Sequence, residues 1–136
     1  MTRILLDHGA DVNAIDSKGK TPLYYASNLR NVRMLIRHGA RVDHVSPNGE
    51  PLIHYAAGLG ENGEIGLLRF FLEHGMNPNA AHPIGGFRPL HVAASGGSLS
   101  RVQLLVSRGA DVNATDNDGQ TLLMVAIFRA RDDIAV

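Results

Sequence analysis

The chain has 136 residues, and 44% of them are apolar, which is enough to bury one compact core. Thirteen basic and thirteen acidic residues give a formal net charge of zero, which disfavours nucleic acid and anionic membranes as partners. The chain has no cysteine, which excludes disulfides, thiolate zinc sites and a cysteine nucleophile. No apolar run approaches the roughly 18 residues of a membrane span, and the first residues are too quickly charged for a signal peptide. We therefore expect one unit with an intracellular location, in the cytoplasm or the nucleus.

A five-residue phrase that begins with glycine recurs four times, in the form Gly-Ala-Asp-Val-Asn or a variant of it. The four glycines are Gly9, Gly39, Gly75 and Gly109. Their spacing of 30 to 36 residues is typical of arrays in which each repeat is one supersecondary unit that packs on its neighbours. The sequence therefore predicts a solenoid.

Three adjacent apolar residues precede each phrase and predict a helix. These triplets occupy residues 4–6, 34–36, 70–72 and 104–106. Such a wide apolar stripe is expected of a helix wedged between neighbouring repeats. The glycine that follows fits the position just after a helix C-terminus, where a left-handed backbone costs glycine little. A basic side chain stands before each glycine and suits the negative end of the helix dipole. These basic residues are His8, His38, His74 and Arg108.

A partner helix is predicted to begin upstream of the later triplets, and once more near the end of the chain. Its expected starts are Thr21, Pro51, Arg88 and Thr121. A threonine can cap a first helical turn, and a proline fits where an amide would be unpaired anyway. Tight turns between the repeats carry the glycines that a positive φ favours. These turn glycines are Gly19, Gly49, Gly86 and Gly119. The predicted unit is turn, helix, short loop, helix.

These phrases resemble the ankyrin repeat family, whose Thr-Pro-Leu-His-x-Ala-Ala and Gly-Ala-Asp-x-Asn-Ala motifs recur over nearly the whole chain. The resemblance implies an all-α solenoid of helix-turn-helix units joined by hairpin-like turns, with three full repeats flanked by two partial ones. The expected array covers residues 1–136 as a partial repeat 1–15, repeats 16–45, 46–81 and 82–115, and a partial repeat 116–136. On this alignment the chain ends partway into a second helix. Because terminal repeats usually carry polar caps, we expect the chain to be a segment of a longer array.

The sequence departs from the family pattern in four places, each of which predicts a local change of shape. Repeat two lacks three residues around residues 28–31, and repeat three gains three around residues 61–63. Pro51 replaces the capping threonine of repeat three. The turn before repeat four gains one residue, and Arg88 replaces threonine there.

Motifs that suggest chemistry are better explained by the repeat. Residues 58–63 match the Gly-x-Gly-x-x-Gly pattern of dinucleotide sites, but that motif needs a preceding strand. Residues 116–119 lack the remaining ligands of a calcium loop, and the seven histidines lack zinc spacing. His54 and His91 occupy the histidine of the family motif, which implies hydrogen bonds between adjoining turns. We therefore predict no catalysis, no cofactor and no metal.

Recognition of another protein remains the predicted function, because a solenoid aligns equivalent positions into one extended concave surface. The resemblance implies that partners meet the turn tips and the exposed side of the first helices. Leu29, Leu59, Phe87 and Phe128 are expected either to be exposed anchors or to cover the altered loops. The predicted partner-binding residues are Lys18, Lys20, Tyr25, Leu29, Asn48, Glu50, Tyr55, Leu59, Ile84, Phe87, Asn117, Asp118, Gln120, Phe128 and Arg129.

Two further expectations concern that surface. Tyr25 and Tyr55 share a repeat position, so their rings should be neighbours along the stack. Tip charge should run from basic at Lys18 and Lys20 to acidic near Asp118, which could orient a dipolar partner.

Three functional classes remain open. The favoured class is a non-catalytic scaffold that binds another protein, and the alternative is a targeting segment of a longer multidomain enzyme, channel or effector. Nucleic acid, membrane and small-molecule partners are not expected, because only the weak glycine motif points to such a ligand and no basic face is evident. We expect a monomer, with head-to-tail association through the open repeat ends as the alternative.

Overall fold

The structure is a computed structural model that describes residues 1–26, 28–45, 49–59 and 65–134, with side chains up to residue 130. This part of the chain forms seven α-helices and one short 3₁₀ helix, Pro22–Tyr25. The α-helices are α1 (Thr2–Asp7), α2 (Leu29–Arg37), α3 (Leu52–Ala57), α4 (Ile65–Glu73), α5 (Pro89–Ser95), α6 (Leu99–Ser107) and α7 (Leu122–Ile134). None of the described helices is long and apolar enough to cross a bilayer.

The helices form two rows that run along the array. The 3₁₀ helix, α3, α5 and α7 are the first helices, and α1, α2, α4 and α6 are the second helices. Contacts link α3 to α4 and α5, link α5 to α6 and α7, and join α2, α4 and α6 to one another in order. The described residues form no regular strand, and isolated bridges close two of the turns, at Val45 with Pro51 and at Thr115 with Thr121. The predicted all-α solenoid is confirmed.

The core lies mainly in the middle of the array. The side chains of α3 to α6 supply most of it, including Leu52, Leu68, Phe71, Leu90 and Leu105, which are almost fully buried. Helix α1 contains no buried residue. Because each repeat packs only on its neighbours, the middle repeats bury two faces and the outermost helices bury one.

The phrase-initial glycines end the second helices as predicted. Gly9, Gly39, Gly75 and Gly109 have φ values of 86°, 94°, 86° and 93°. In each case the residue after the glycine donates its amide to a carbonyl in the last helical turn, as in the contact from Ala40 to Leu35 at 2.9 Å. The left-handed residue reverses the chain and satisfies carbonyls that the helix end would leave unpaired.

The first helix of repeat two is shorter than the family motif predicts. It is a single 3₁₀ turn, because repeat two lacks three residues and leaves little chain between Pro22 and the start of α2. Thr21 makes no capping hydrogen bond in this structure. Asn28 caps α2 instead, with its side-chain oxygen accepting from the amide of Asn31 at 2.9 Å. The three extra residues predicted at 61–63 lie outside the described residues.

The prediction of a second helix at the end of the chain is wrong for the part that the structure describes. Helix α7 continues without a break from Leu122 to Ile134. In repeats three and four, the first helix stops at Gly58 and at Gly96. No glycine or proline occurs between residues 122 and 134, so nothing in the sequence interrupts the helix there.

Candidate functional site

A line of equivalent hydrogen bonds connects the first helices to the turns of the following repeats. The Tyr24 hydroxyl donates to the carbonyl oxygen of Glu50 at 2.6 Å. The Nε2 atom of His54 lies 3.0 Å from the carbonyl oxygen of Phe87, and that of His91 lies 3.2 Å from the carbonyl oxygen of Gln120. Each acceptor lies two residues before the first residue of the next first helix, which is α3, α5 or α7. The role that the family motif implies for His54 and His91 is confirmed, and Tyr24 fills the same place in repeat two.

His54 is held as a neutral donor. Its side chain is buried, and its ring lies 5.4 Å from the ring of His82 and 5.6 Å from that of Phe87. Burial lowers the pKa of His54 from 6.5 to about 4, although the hydrogen bond to Phe87 opposes this change. A carbonyl oxygen can only accept, so the ring carries its proton on Nε2. His54 therefore positions a turn.

The extended turn before repeat four is stiffened by a stacked pair of rings. The rings of His82 and Phe87 lie 4.2 Å apart and within 17° of parallel. The amide of Ile84 donates to Nδ1 of His82 at 3.0 Å, and the amide of His82 donates to the carbonyl oxygen of Phe87 at 2.8 Å. The amide of Asn117, in the next turn, donates to the carbonyl oxygen of Gly85 at 2.9 Å. The two neighbouring tips are thus fixed relative to each other.

The first helices and these turns enclose two adjoining recesses, together termed the inner groove. The first recess has a volume of about 520 Å³, and the second a volume of about 490 Å³. Ser95, Gln120 and Val125 line both recesses, so the groove is continuous from α5 to α7. The other lining residues are Gly58, Phe87, His91, Val92, Gly96 and Asp116 in the first recess, and Met124, Phe128 and Arg129 in the second.

The inner groove contains four of the predicted partner-binding residues. Phe87 and Gln120 line the first recess, and Phe128 and Arg129 line the second. Phe128 is 65% exposed, as an anchor for a partner requires. The predicted tip residues Lys18, Ile84, Asn117 and Asp118 are exposed around the turns, whereas Lys20 is half-buried with its ammonium 5.9 Å from the centre of the Tyr24 ring. Asn48 lies outside the described residues.

Three of the four expected apolar anchors are packing residues. Leu29 and Leu59 are partly buried against the core. Phe87 is half-buried between the two histidine rings that it contacts. Leu29 and Phe87 lie at the altered loops of repeats two and four, whereas the altered loop that follows Leu59 lies outside the described residues. Glu50 is also half-buried, and its carbonyl is used by Tyr24.

The expected contact between Tyr25 and Tyr55 is replaced by another. The ring of Tyr55 lies 6.3 Å from that of Tyr24. Tyr25 is 59% exposed, and its hydroxyl donates to the carboxylate of Asp16. This hydrogen bond is the main cause that lowers the pKa of Asp16 and raises that of Tyr25. In repeat two, where the first helix is a short 3₁₀ turn, Tyr24 and not Tyr25 therefore lies next to Tyr55.

Eight of the twelve residues that line the inner groove are absent from the predicted partner-binding set, and Val92, Val125 and Met124 are its apolar members with side chains. Val92 and Val125 occupy the same repeat position as Tyr55, and that equivalence is the signal that could have found them. Met124 stands at the histidine position of the motif. Gly58 allows Val92 to pack closely, because a Cβ at Gly58 would lie only 2.9 Å from a methyl carbon of Val92.

The expectation that the protein has no basic face is wrong. Helices α1 and α2 enclose a groove of about 530 Å³, termed the outer groove, whose wall includes Arg3, Arg30, Arg33 and Arg37. The arginines are scattered in the sequence and come together because both helices belong to the second-helix row. Among the described residues, no group of three or more histidine, cysteine or acidic side chains could hold a metal ion.

Comparisons with known proteins agree with this architecture. A family model described as "Ankyrin repeats (3 copies)" matches residues 28–116 and 53–135. The chain is 44% identical over 54 residues to an ankyrin repeat-containing protein of Schizosaccharomyces pombe, a match that covers 40% of this chain and 26% of that protein. It is 42% identical over 65 residues to the ARF GTPase-activating protein Git of Drosophila melanogaster, covering 48% of this chain and 9% of that protein.

A further relative is an enzyme by name. The chain is 33% identical over 66 residues to the 2-5A-dependent ribonuclease of Mus musculus, covering 48% of this chain and 9% of that protein. In these three relatives the match covers between 9% and 26% of the whole protein.

Proposed function

Because the chain belongs to the ankyrin repeat family, we propose that it is a non-catalytic module that binds a partner protein in the inner groove. Ankyrin repeats are generally protein-interaction modules. The observation that carries the proposal is the continuity of the groove across α5, α7 and the turns before them, with Ser95, Gln120 and Val125 lining both recesses.

The composition of the inner groove suits a protein partner. Val92, Val125 and Phe128 supply apolar surface, and Phe128 is largely exposed. Ser95 and Gln120 supply polar groups beside them. An interface of this kind pairs a few apolar anchors with polar neighbours that fix the register of the partner.

The groove is also preorganised. The hydrogen bond from His91 to the carbonyl of Gln120 ties α5 to the turn before α7. The amide of Asn117 ties that turn to the carbonyl of Gly85. A surface that is already ordered loses little conformational entropy when a partner binds, which favours affinity.

Site-specific photo-crosslinking tests this function. A photoreactive phenylalanine analogue would replace Ser95 in one variant and Ser100 in the control. Both serines are exposed, but Ser95 lines the inner groove and Ser100 lies on α6 in the second-helix row. In extract from the source cells, we expect a protein adduct from position 95 and none from position 100. An adduct formed only from position 100, or none from either position, would reject the inner groove as the binding surface.

The alternative is that the module targets an enzymatic activity encoded elsewhere in a longer protein. Its support is that one relative is a ribonuclease by name and another a GTPase-activating protein, and that each match covers only 9% of that protein. The sequence of the complete transcript distinguishes the two proposals, because a catalytic module in the same reading frame would favour the second.

A further inference from the structure

The outer groove is separate from the inner groove, because no residue lines both. It lies between α1 and α2, and its apolar lining consists of Leu29 and Met34. Both side chains are half-buried, and Leu29 packs against the core. The charged side chains above this floor stand in solvent.

Positive charge dominates the outer groove. Arg30, Arg33 and Arg37 lie on α2 at positions i, i+3 and i+7, which places them on one face of the helix. All three are exposed, and α2 contains no acidic residue. Arg3 adds a fourth guanidinium from α1.

The negative charge in the outer groove is already engaged. Asp7 is the one carboxylate among the lining residues, and its oxygens lie 3.9 Å from Arg3 Nε and 3.3 Å from His38 Nε2. Among the ion pairs of the described residues, none involves Arg30, Arg33 or Arg37. Like charges on one helix face repel one another. A ligand that places carboxylates between these arginines would relieve the repulsion.

We propose that the outer groove binds an acidic peptide segment of a partner protein. A guanidinium matches a carboxylate with two parallel hydrogen bonds, so three arginines in a row can hold three carboxylates in register. The row from Arg30 to Arg37 is about 10 Å long, and three acidic residues that alternate with others in an extended peptide span about 13 Å, a difference that the long arginine side chains accommodate.

Two observations favour a peptide over nucleic acid. No phenylalanine, tyrosine or tryptophan is among the lining residues, and the ring of His38 is held by Asp7 and the Met34 carbonyl, so the groove offers little platform on which bases could stack. The formal net charge of the chain is zero, so no long-range field attracts a polyanion.

Fluorescence polarisation with the full chain tests the proposal. The probe is a short labelled peptide in which three glutamates alternate with two leucines, and its counterpart has glutamines in place of the glutamates. The test variant carries Arg30→Gln, Arg33→Gln and Arg37→Gln. The control carries Lys18→Gln, Lys20→Gln and Arg129→Gln, which remove the same charge near the turn tips and the inner groove.

We expect the acidic peptide to bind the unmodified chain, with an affinity that falls at high salt. The test variant should weaken binding about tenfold or more, and the control should change it less than about twofold. The Arg33 guanidinium lies 5.8 Å from the centre of the Phe70 ring, so its replacement could disturb the fold. A second variant with only Arg30→Gln and Arg37→Gln keeps that contact. It should weaken peptide binding less than the triple variant does.

Several outcomes would overturn the proposal. They are no binding of the acidic peptide, equal binding of the glutamine peptide, equal weakening in test and control variants, and tighter binding of a labelled DNA duplex that depends on the same arginines. Crosslinking from position 95 reports on the inner groove alone, so failure of either proposal is separable from failure of the other.

Discussion

The Nε2 atom of His54 lies 3.0 Å from the carbonyl oxygen of Phe87, across the boundary between repeats three and four. The equivalent bonds of Tyr24 and His91 make this one member of a line that runs along the array. Each repeat thereby fixes the turn that precedes the next repeat, and the later of these turns border the inner groove.

The stability of the fold should depend on pH through His54. The group is only 1% exposed, and burial lowers its pKa from 6.5 in the unfolded chain to about 4 in the folded one. The stabilising contribution is therefore complete above about pH 6.5 and is lost as the pH falls toward 4, where protonation favours the unfolded chain. We expect a loss of about 3 kcal/mol from this group between pH 7 and pH 4, measured by denaturant unfolding.

The variant His54→Gln separates this effect from the other titrating groups. A glutamine amide can still donate to the Phe87 carbonyl but does not titrate. We expect the variant to be less stable at pH 7 and to lose less stability on acidification. A pH dependence identical to that of the unmodified chain would show that His54 is not the group responsible.

The two adjacent tyrosines of repeat two should behave differently when each loses its hydroxyl. Tyr24 is 2% exposed and its hydroxyl donates to the carbonyl oxygen of Glu50 at 2.6 Å, with the carbonyl oxygen of His44 lying 3.1 Å from the same hydroxyl. Tyr24→Phe should lower the free energy of unfolding by about 1–3 kcal/mol, because the partly buried carbonyl of Glu50 loses its donor.

Tyr25→Phe is the matched control. The Tyr25 hydroxyl is exposed and donates to Asp16, so we expect its removal to leave the stability nearly unchanged. The pKa of Asp16 should rise, because that hydrogen bond lowers it, and NMR titration measures this change. Equal destabilisation by both variants would contradict the assigned role of Tyr24.

Two equivalent turn glycines should differ in their tolerance of alanine. Gly86 and Gly119 both have positive φ, 69° and 78°. A Cβ on Gly119 would enter open space, whereas one on Gly86 would collide with the side-chain amide of Asn117. Gly119→Ala should cost about 1 kcal/mol, and Gly86→Ala at least about 1 kcal/mol more. Thermal unfolding checks this, and equal costs would mean that the contact between the two tips contributes little.

Much of the fold could be predicted from the sequence, because each repeat is specified locally and then repeated. The apolar triplets, the glycine at the helix end and the motif histidines all have physical roles within about one repeat length. Gly39 and His54 illustrate this, since both adopt the conformation or the hydrogen bond that their position predicts.

The side-chain environment of the candidate site was less predictable. For Leu29 and Phe87 the sequence left an exposed anchor and a packing role equally open, and the structure shows both side chains half-buried against their neighbours. The outer groove escaped prediction for another reason, since Arg3 and Arg30 lie in different repeats and only the stacking of α1 on α2 brings them together. Charge counts along the sequence do not report such clustering.

Hydrogen exchange should be slowest between Leu52 and Val106. This region contains most of the buried core, whereas α1 has no buried residue and should exchange first. Mass spectrometry of exchanged peptides gives the ranking directly. Strong protection of residues 1–9 would contradict the nearest-neighbour account or reveal that another molecule covers that end.

The central claim is that the inner groove is the protein-binding surface, and a matched pair of arginine substitutions tests it most directly. Val125 lines both recesses of the groove, and Val106 is an exposed residue of α6. The measurement is the affinity of the partner captured from position 95, by calorimetry, for Val125→Arg and Val106→Arg chains with matched unfolding temperatures. We predict that Val125→Arg weakens binding by about tenfold or more, about 1.4 kcal/mol, and that Val106→Arg leaves it unchanged. Unchanged affinity in Val125→Arg, with a loss in Val106→Arg, would contradict the account and place the partner on the second-helix row.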